Sequence, residues 1–590
     1  MVTTTTTALR PDEVREGLER AGVGRGDLVG LVLRHGVGLG LAARGHRWSV
    51  AAPRPAEVVA AVEEALRPRW VWWSAHETAA TVVAAGGRVA TCWDVAAAHR
   101  LLAGGSTADP AQVWAALHRL DPGSVPRTGQ LDLLAPVAAG SGGDPEVPVD
   151  EAGHLRAEWA AGGWARTPDR MAAWADLVLR AHALQDAALA GLEVGGDPVA
   201  TARSESAAEL LCVELGRSGL PLDRAVAESL LTALVGPRPT DPAHEAALRR
   251  ARDQLVLRHV PSTSDHDQTD LRNPADVRAA LAGVGIDLPD TRSWRLEPWR
   301  GQHPLVDALI TWRKADRLVT TYGYTWLDSQ VGPDGRLRGR WSGSDGAAGR
   351  MSAGAGLHNL PAELRPAVAA EPGHVLVRAD LGQIEPRVLA AVSGDPALAA
   401  ATADDDLYLP VAHRLGVQRA VAKIAVLAAM YGQTSGTAGQ ALAGLESAYP
   451  VAMGYLGAAY DAGRAGRHVR THGGRLVRMP VLTTAGDEHA ARAAVNGRGR
   501  YARNAVVQGA AAELFKAWAV TVRAGAAPLG ATVVMCLHDE LLVHCPVGRA
   551  DQVSDLLDDA LQAVGSRWAA GRGVRFVADI SVVDRWSDAK

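Results

Sequence analysis

The sequence predicts a multidomain chain of α/β and α+β units, on three observations: a length of 590 residues, an ordinary globular composition, and a pattern that changes twice along the chain. At roughly 100–200 residues per domain, the length allows about three to five compact units. Apolar residues make up 47% and charged residues 21%, which excludes a wholly disordered or collagen-like chain. Residues 1–190 alternate short apolar runs (DLVGLVL, HRWSVAA, RWVWWS) with Ala-rich helical stretches, the pattern of an α/β unit. From about 195 to 345 the period is helical, broken by PRPTDPAH and STSDHDQTDLRNP. After about 345 it runs strand, helix bundle, and strands again.

Within the front unit, Gly/Pro-rich loops are expected near 104–110 and 140–150. The opening TTTTT tract is expected to be a disordered tip. GVGLG at 36–40 reads as a hairpin, because no third Gly opens a helix as a dinucleotide fingerprint requires. Cys92, Cys212, Cys536 and Cys545 include no Cys-x-x-Cys pair and read as buried reduced thiols. No apolar run reaches the roughly 18 residues of a membrane span, and the start lacks the basic and apolar regions of a secretion signal, so a cytoplasmic protein with no membrane partner is expected. A net charge of −4 does not advertise a nucleic-acid binder, so any such binding must use local patches. Of the 61 basic residues 57 are Arg, and the lysines are Lys314, Lys423, Lys516 and Lys590. A Lys inside a patterned segment therefore marks a place where a compact point charge serves and a planar fork does not.

Three segments carry chemistry. In HVLVRADLGQIEPRVLAAVSGD (374–395), Val375, Leu376 and Val377 predict a buried strand with Asp380 at its end, and Pro386 opens a helix toward Gly394. Asp before a turn is commonly only a cap, but a carboxylate at a strand's carboxyl end also suits a cation. In GVQRAVAKIAVLAAMYGQ (416–433), a helix ended by Gly432, Arg419, Lys423, Leu427 and Tyr431 recur every fourth residue and share one side. Arg and Lys one turn apart make either a solvated stripe or a two-pronged polyphosphate holder. In ATVVMCLHDELLVHCP (531–546), two apolar strands flank His538, Asp539 and Glu540, which places the acids on a hairpin tip. If that hairpin adjoins the Asp380 strand, the carboxylates suit two divalent ions roughly 3.5–4 Å apart.

In this order, DLGQIEPR, the Arg419–Lys423–Tyr431–Gly432 helix and HDE resemble motifs A, B and C of the family-A DNA polymerases, the DNA polymerase I type. The likeness covers about 195–590: GRMSAGAGLHNLP (349–361), RYARNAVVQGAAAELFK (500–516) and KADRLVTTYG (314–323) resemble further segments of that family. The resemblance implies a right-hand polymerase with a thumb (195–345), a palm containing an antiparallel sheet (346–400 and 500–590) and helical fingers (401–499). It implies a nucleoid-associated monomer that extends a primer on template DNA with dNTPs in replication or repair. Asp380, Asp539 and the Leu381 carbonyl would hold two Mg²⁺, with Glu540 in support. Arg419 and Lys423 would grip the triphosphate, and Lys423 would assist the pyrophosphate leaving group. Gln383 and Glu385 would lie along the sugar, and Leu427 and Tyr431 beside the nucleotide. Arg350, Arg500, Asn504, Gln508 and His538 would contact primer–template DNA. Between 461 and 504, nine Arg against three acids give a local balance of +6, expected to form a basic surface.

Departures from the family pattern are Leu381–Gly382 for Tyr-Ser, Tyr408 for His, and Leu427 for an aromatic that packs on the sugar. The front 190 residues resemble the family's 3′–5′ exonuclease domain, a ribonuclease-H-like fold, through CWDVAAAHRLLAGG (92–105). Its four-carboxylate site is degenerate here: LVGLVL (28–33) has no Asp-x-Glu, Glu77 stands at the second motif, and Trp174 replaces the third motif's Asp. No part of the 590 residues resembles the 5′-nuclease domain of longer relatives. A single-subunit RNA polymerase shares the palm, but Glu385 and Glu540 favour DNA synthesis. A non-catalytic DNA-binding protein would be expected to have lost a metal acid or a motif-B cation.

Overall fold

The computed structural model describes residues 5–125, 144–261, 269–432, 437–482 and 488–589. Positions 1–4, residues 140–143 of the loop read at 140–150, and residues 262–268 of the polar run lie outside the described residues. Among the described residues, no helix is long and apolar enough to cross a membrane.

The front unit is built on strands β1 (Thr6–Leu9), β2 (Leu28–Arg34), β3 (Gly38–Ala43), β4 (His46–Ala51), β5 (Arg69–Trp72) and β6 (Thr91–Asp94) in the order β1-β4-β3-β2-β5-β6. The apolar runs read from the sequence supply β2, β4 and β5, and GVGLG closes the β2–β3 hairpin. The Thr tract is a correction: Thr6 and Thr7 pair in parallel with Arg47 and Trp48. β-branched Thr suits an edge strand, and the pairing orders backbone that composition alone leaves free. Helix α1 (Pro168–Ala190) lies across the sheet over Gly30 and Gly40, where an added Cβ would stand 2.3 Å from the Ala175 carbonyl and 2.1 Å from the Ala172 nitrogen. Those glycines allow the helix to touch the sheet backbone.

Helix α2 (Pro198–Ser218) leads into a helical unit with its own small core, which includes Val256, Leu281, Leu305 and Trp312. Helix α3 (Pro304–Tyr322) joins that core to the main one: Trp312 sits in the first, Leu318 and Tyr322 in the second.

The main core surrounds an antiparallel sheet of β7 (His374–Leu381), β8 (Thr532–Leu537), β9 (Glu540–Pro546) and β10 (Ala578–Val583), ordered β8-β9-β7-β10. Helix α4 (Ile384–Ser393) follows β7, helix α5 (Arg419–Tyr431) precedes a helical bundle, and the 39-residue helix α6 (Glu488–Ala526) returns beneath the sheet. All four cysteines are buried and free, as expected. Lys516 of α6 is also buried and holds Glu205 of α2 and the carbonyls of Gly343 (3.2 Å) and Gly349 (2.7 Å). An ammonium, with three donors that rotate freely, fits this three-way junction where a planar guanidinium does not.

Arg387 of α4 is fully buried. It donates to the carbonyls of Gly382 (3.1 Å), Thr402, Arg575, Asp404 and Asp405 (each 2.7 Å). One side chain thus ties the turn after β7 to the 402–406 loop. Arg387→Met keeps much of the volume but leaves five carbonyls without their donor. A loss of about 3 kcal/mol or more in urea unfolding is expected, and an unchanged midpoint would show that the loop does not depend on this residue.

Candidate active site

β7 lies between β9 and β10, so Asp380 stands opposite Glu540 on one side and Asp579 on the other. The hairpin between β8 and β9 turns at His538–Asp539, with His538 at φ 55°. The Leu381 amide donates to the Asp539 carbonyl at 3.0 Å, which pins the tip to the strand end. The hairpin and the adjoining strand expected from the sequence are both present, and Asp380, Asp539 and Glu540 meet at one corner of the sheet.

That corner is electrostatically loaded. Burial, then the charge of Asp539, pushes Asp380 up to about 6, against the opposing pull of Arg378. Burial also raises Asp539, with Glu540 and Glu385 adding to the shift. Arg378 is the local counter-ion. Its guanidinium donates to Asp380 at 2.6 Å and to Glu540 at 3.0 Å, and lies 3.6 Å from Asp579. The Trp586 indole donates to the same Glu540 oxygen at 2.6 Å. Glu540 is therefore turned toward Arg378 and Trp586, a strut for the corner.

Helix α5 presents Arg419, Lys423 and Tyr431 at its exposed surface and Leu427 half-buried against the core. Tyr431 donates to Glu385 at 3.1 Å, which joins α5 to α4. Burial raises Glu385, while the Tyr431 hydroxyl and the Arg350 charge lower it. Arg419 is paired with Asp406. Gln383 accepts from the Leu407 amide at 2.8 Å and reaches Asp406 at 3.4 Å, so its amide braces the 406–407 loop. Gln508 bonds Tyr431, and the Asn504 amide nitrogen has no protein partner. Arg350 is exposed 3.8 Å from Asp345, Arg500 packs beside Gly432, and His538 stacks edge-on to His358 at 5.3 Å.

The nine-Arg stretch needs correction. Arg475 is buried and paired with Glu205 at 2.6 Å, Arg470 bonds the Gly474 and Leu102 carbonyls, and Arg498 bonds the carbonyls of Gly463, Pro480 and Arg464. These guanidinium groups hold the chain together, so the surface balance there is smaller than +6.

Sequence reasoning missed Arg378, Asp406, Asp579 and Trp586. Arg378 was within reach: two residues before Asp380 on a strand puts it on the same face. Asp579 and Trp586 become neighbours only through the β7–β10 register.

The front unit holds Asp94, Glu77 and Trp174 in different surroundings. Leu31 on β2 is buried, Asp94 caps the next helix through the Ala97 amide (2.8 Å) and takes the Ala75 amide (2.6 Å), and Glu77 is exposed. Trp174 is buried with its ring 5.4, 6.5 and 6.2 Å from those of Trp73, Trp159 and Trp164.

The fold is that of a right-hand polymerase. The structure is similar to a solved POL domain of Pol1 from M. smegmatis in complex with DNA primer-template and dNTP, with a TM-score of 0.69 and 21% identity over 99% of this chain and 100% of that one. The family model of DNA polymerase family A matches residues 286–588, more than half of the sequence. The chain belongs to that family. Among curated relatives, DNA polymerase I of Deinococcus radiodurans is 29% identical over 325 residues, 50% of this chain and 33% of that protein. DNA polymerase I of Chloroflexus aurantiacus is 32% identical over 46% of this chain and 31% of its own length. The thermostable DNA polymerase I of Thermus thermophilus is 30% identical over 50% and 38%. The match therefore spans about a third of the length of these relatives.

Arg378→Ala would leave the Asp380, Glu540 and Asp579 carboxylates without their guanidinium. In EDTA the variant is expected to lose about 1–3 kcal/mol of stability, since one partner of a largely buried charge cluster is removed. Added Mg²⁺ should raise its melting midpoint more than that of the parent, because a cation then replaces the missing charge. Equal Mg²⁺ responses would show that Arg378 is not the counter-ion.

Proposed function

We propose that the protein is a template-directed DNA polymerase that adds dNTPs to a primer 3′ end. The observation that carries this reading is the β7–β9 register, which pairs Asp380 with Glu540 and brings Asp539 to the end of β7, with α5, which bears Arg419 and Lys423, tied to α4 through Tyr431 and Glu385. The donor set at the corner is all oxygen, from Asp380, Asp539 and the Leu381 carbonyl, and burial together with the neighbouring Asp539 charge, which raise Asp380, favours a hard divalent cation such as Mg²⁺. When bound, a pair of such ions supplies activation of the primer 3′ oxygen and charge compensation on the triphosphate.

The chain's own residues do the rest. Arg419, once released from Asp406, offers a planar fork to the phosphates, and Lys423 offers a point charge that stabilises or protonates the departing pyrophosphate. Glu385, fixed by Tyr431, presents a carboxylate edge to the sugar. Arg350, Arg500, Asn504, Gln508 and His538 line the approach of primer–template DNA. The thumb is assigned to 195–345, the palm to 346–400 and 500–590, and the fingers to 401–499. The front 190 residues act as a scaffold, because the first strand has no Asp-x-Glu, Trp174 offers no ligand and the Asp94 carboxylate is engaged by backbone amides.

Primer extension in Mg²⁺, run with dNTPs and with NTPs, tests this reading: dNTPs should be used far better, and absence of extension with either would overturn it. The Glu385 carboxylate should carry most of the sugar selection, because leaving a buried carboxylate poorly solvated costs more than the loss of a flat apolar wall at Leu427. Glu385→Ala is expected to raise ribonucleotide use by about tenfold or more, and Leu427→Phe to tighten selection by less. A larger effect from Leu427→Phe would move the gate to the helix. A mismatched primer incubated without dNTPs should stay intact; shortening that persists in Asp380→Ala would reveal a nuclease in the front unit.

A further inference from the structure

At the end of β7 opposite the acid corner, three ligand-bearing residues converge. His374 opens β7 and pairs with Pro546, while His544 on β9 pairs with Leu376, so the two histidines are diagonal neighbours on one face of the sheet. Their rings lie 4.5 Å apart and nearly parallel, at 10°. Glu371, in the turn before β7, brings a carboxylate oxygen to 3.9 Å from His544 Nε2. One ligand atom from each of the three residues falls within 4.8 Å of the others.

The surrounding bonds prepare these atoms as ligands. His374 Nδ1 lies 3.4 Å from the Pro372 carbonyl, which only accepts; the nitrogen therefore donates, and the lone pair is left on Nε2. His544 Nε2 accepts from the Glu371 amide at 3.4 Å, a long bond that an ion on this nitrogen would displace. Arg336 donates to Glu371 Oε1 at 2.9 Å and orients the carboxylate so that Oε2 faces the imidazole. Supports of this kind commonly fix ligand orientation around a metal. His544 is buried. Asp223, Asp334 and Asp584 line the adjoining cleft of about 490 Å³, with Arg585 alongside.

We propose that Glu371, His374 and His544 bind one divalent transition-metal ion of the Zn²⁺ class, with an open position for water. Two imidazoles and one carboxylate are a borderline-soft set that prefers Zn²⁺, Co²⁺ or Ni²⁺ to Mg²⁺, in contrast to the all-oxygen corner at the other end of the strand. Metal–nitrogen bonds of about 2.0–2.1 Å require ligand atoms somewhat closer than 3.9 Å. Closing that gap takes a rotation of the exposed Glu371 carboxylate and a turn of the partly exposed His374 ring out of its stack on His544, so that both imidazole lone pairs meet at one ion. Arg336 belongs to the short pairing of Leu220–Pro221 with Arg336–Leu337, so the ion would clamp the sheet to the base of the helical unit.

The site is independent of the polymerase reading and is tested without it. Untagged full-length protein is titrated with Zn²⁺ by calorimetry in excess Mg²⁺, and with Co²⁺ by visible absorption. One equivalent should bind at micromolar or tighter affinity, with d–d bands of a low-coordinate nitrogen–oxygen site, and Zn²⁺ should raise the melting midpoint. His374→Ala and His544→Gln should each weaken binding at least tenfold and abolish the midpoint shift. His374 is the partly exposed first residue of its strand, so its variant is expected to fold. Asp380→Ala should bind Zn²⁺ like the parent. No stoichiometric binding by the parent, or unchanged binding by His374→Ala, would overturn the proposal.

Discussion

The antiparallel register between β7 and β9 positions everything at the acid corner. Because side chains alternate across a strand, a slip of one residue would send Asp380 and Arg378 to the opposite face. The register is held by apolar residues buried on both faces, among them Leu376, Val377, Leu541, Leu542 and Val543, and by the Leu381 amide on the Asp539 carbonyl. Burial that stabilises the sheet therefore also forces like charges together, and the raised Asp380 is the electrostatic cost of that arrangement.

Arg378 reconciles the two demands. A guanidinium shared between Asp380 and Glu540 offsets part of the negative charge of the corner. The same logic recurs at the base of the fold, where Glu205 is shared by Arg475 and Lys516, and at the 402–406 loop, where Arg387 collects carbonyls. Arg dominates the basic residues of this chain, and many of these side chains serve as internal connectors. That use explains how a chain with a net charge of −4 carries so many cations without a uniformly basic surface.

Local patterns on single elements could be read directly: the β7 strand and its terminal Asp380, the α5 stripe, and the hairpin tip at Asp539 each show in a short run of sequence. Contacts set by tertiary packing could not. Asp406 reaches Arg419, and Trp586 reaches Glu540, only because loops and a later strand fold back onto the site. The Thr tract misled for the same reason, since its order comes from a partner strand about 40 residues on. Counting charges from 461 to 504 overstates the surface balance, because it cannot tell the buried Arg475 from an exposed Arg.

In the front unit the Asp94 carboxylate is engaged by backbone amides and Trp174 is packed among other tryptophans. Chemistry is thus concentrated at the acid corner. The most direct measurement is the rate of single-dNTP addition to a primer–template in Mg²⁺ by the parent, Asp380→Ala and Asp539→Ala, with melting curves recorded alongside. Removing either carboxylate should cost about a hundredfold or more in rate while leaving the fold intact. Near-normal addition by a folded Asp539→Ala variant would contradict the assignment of this corner as the catalytic centre.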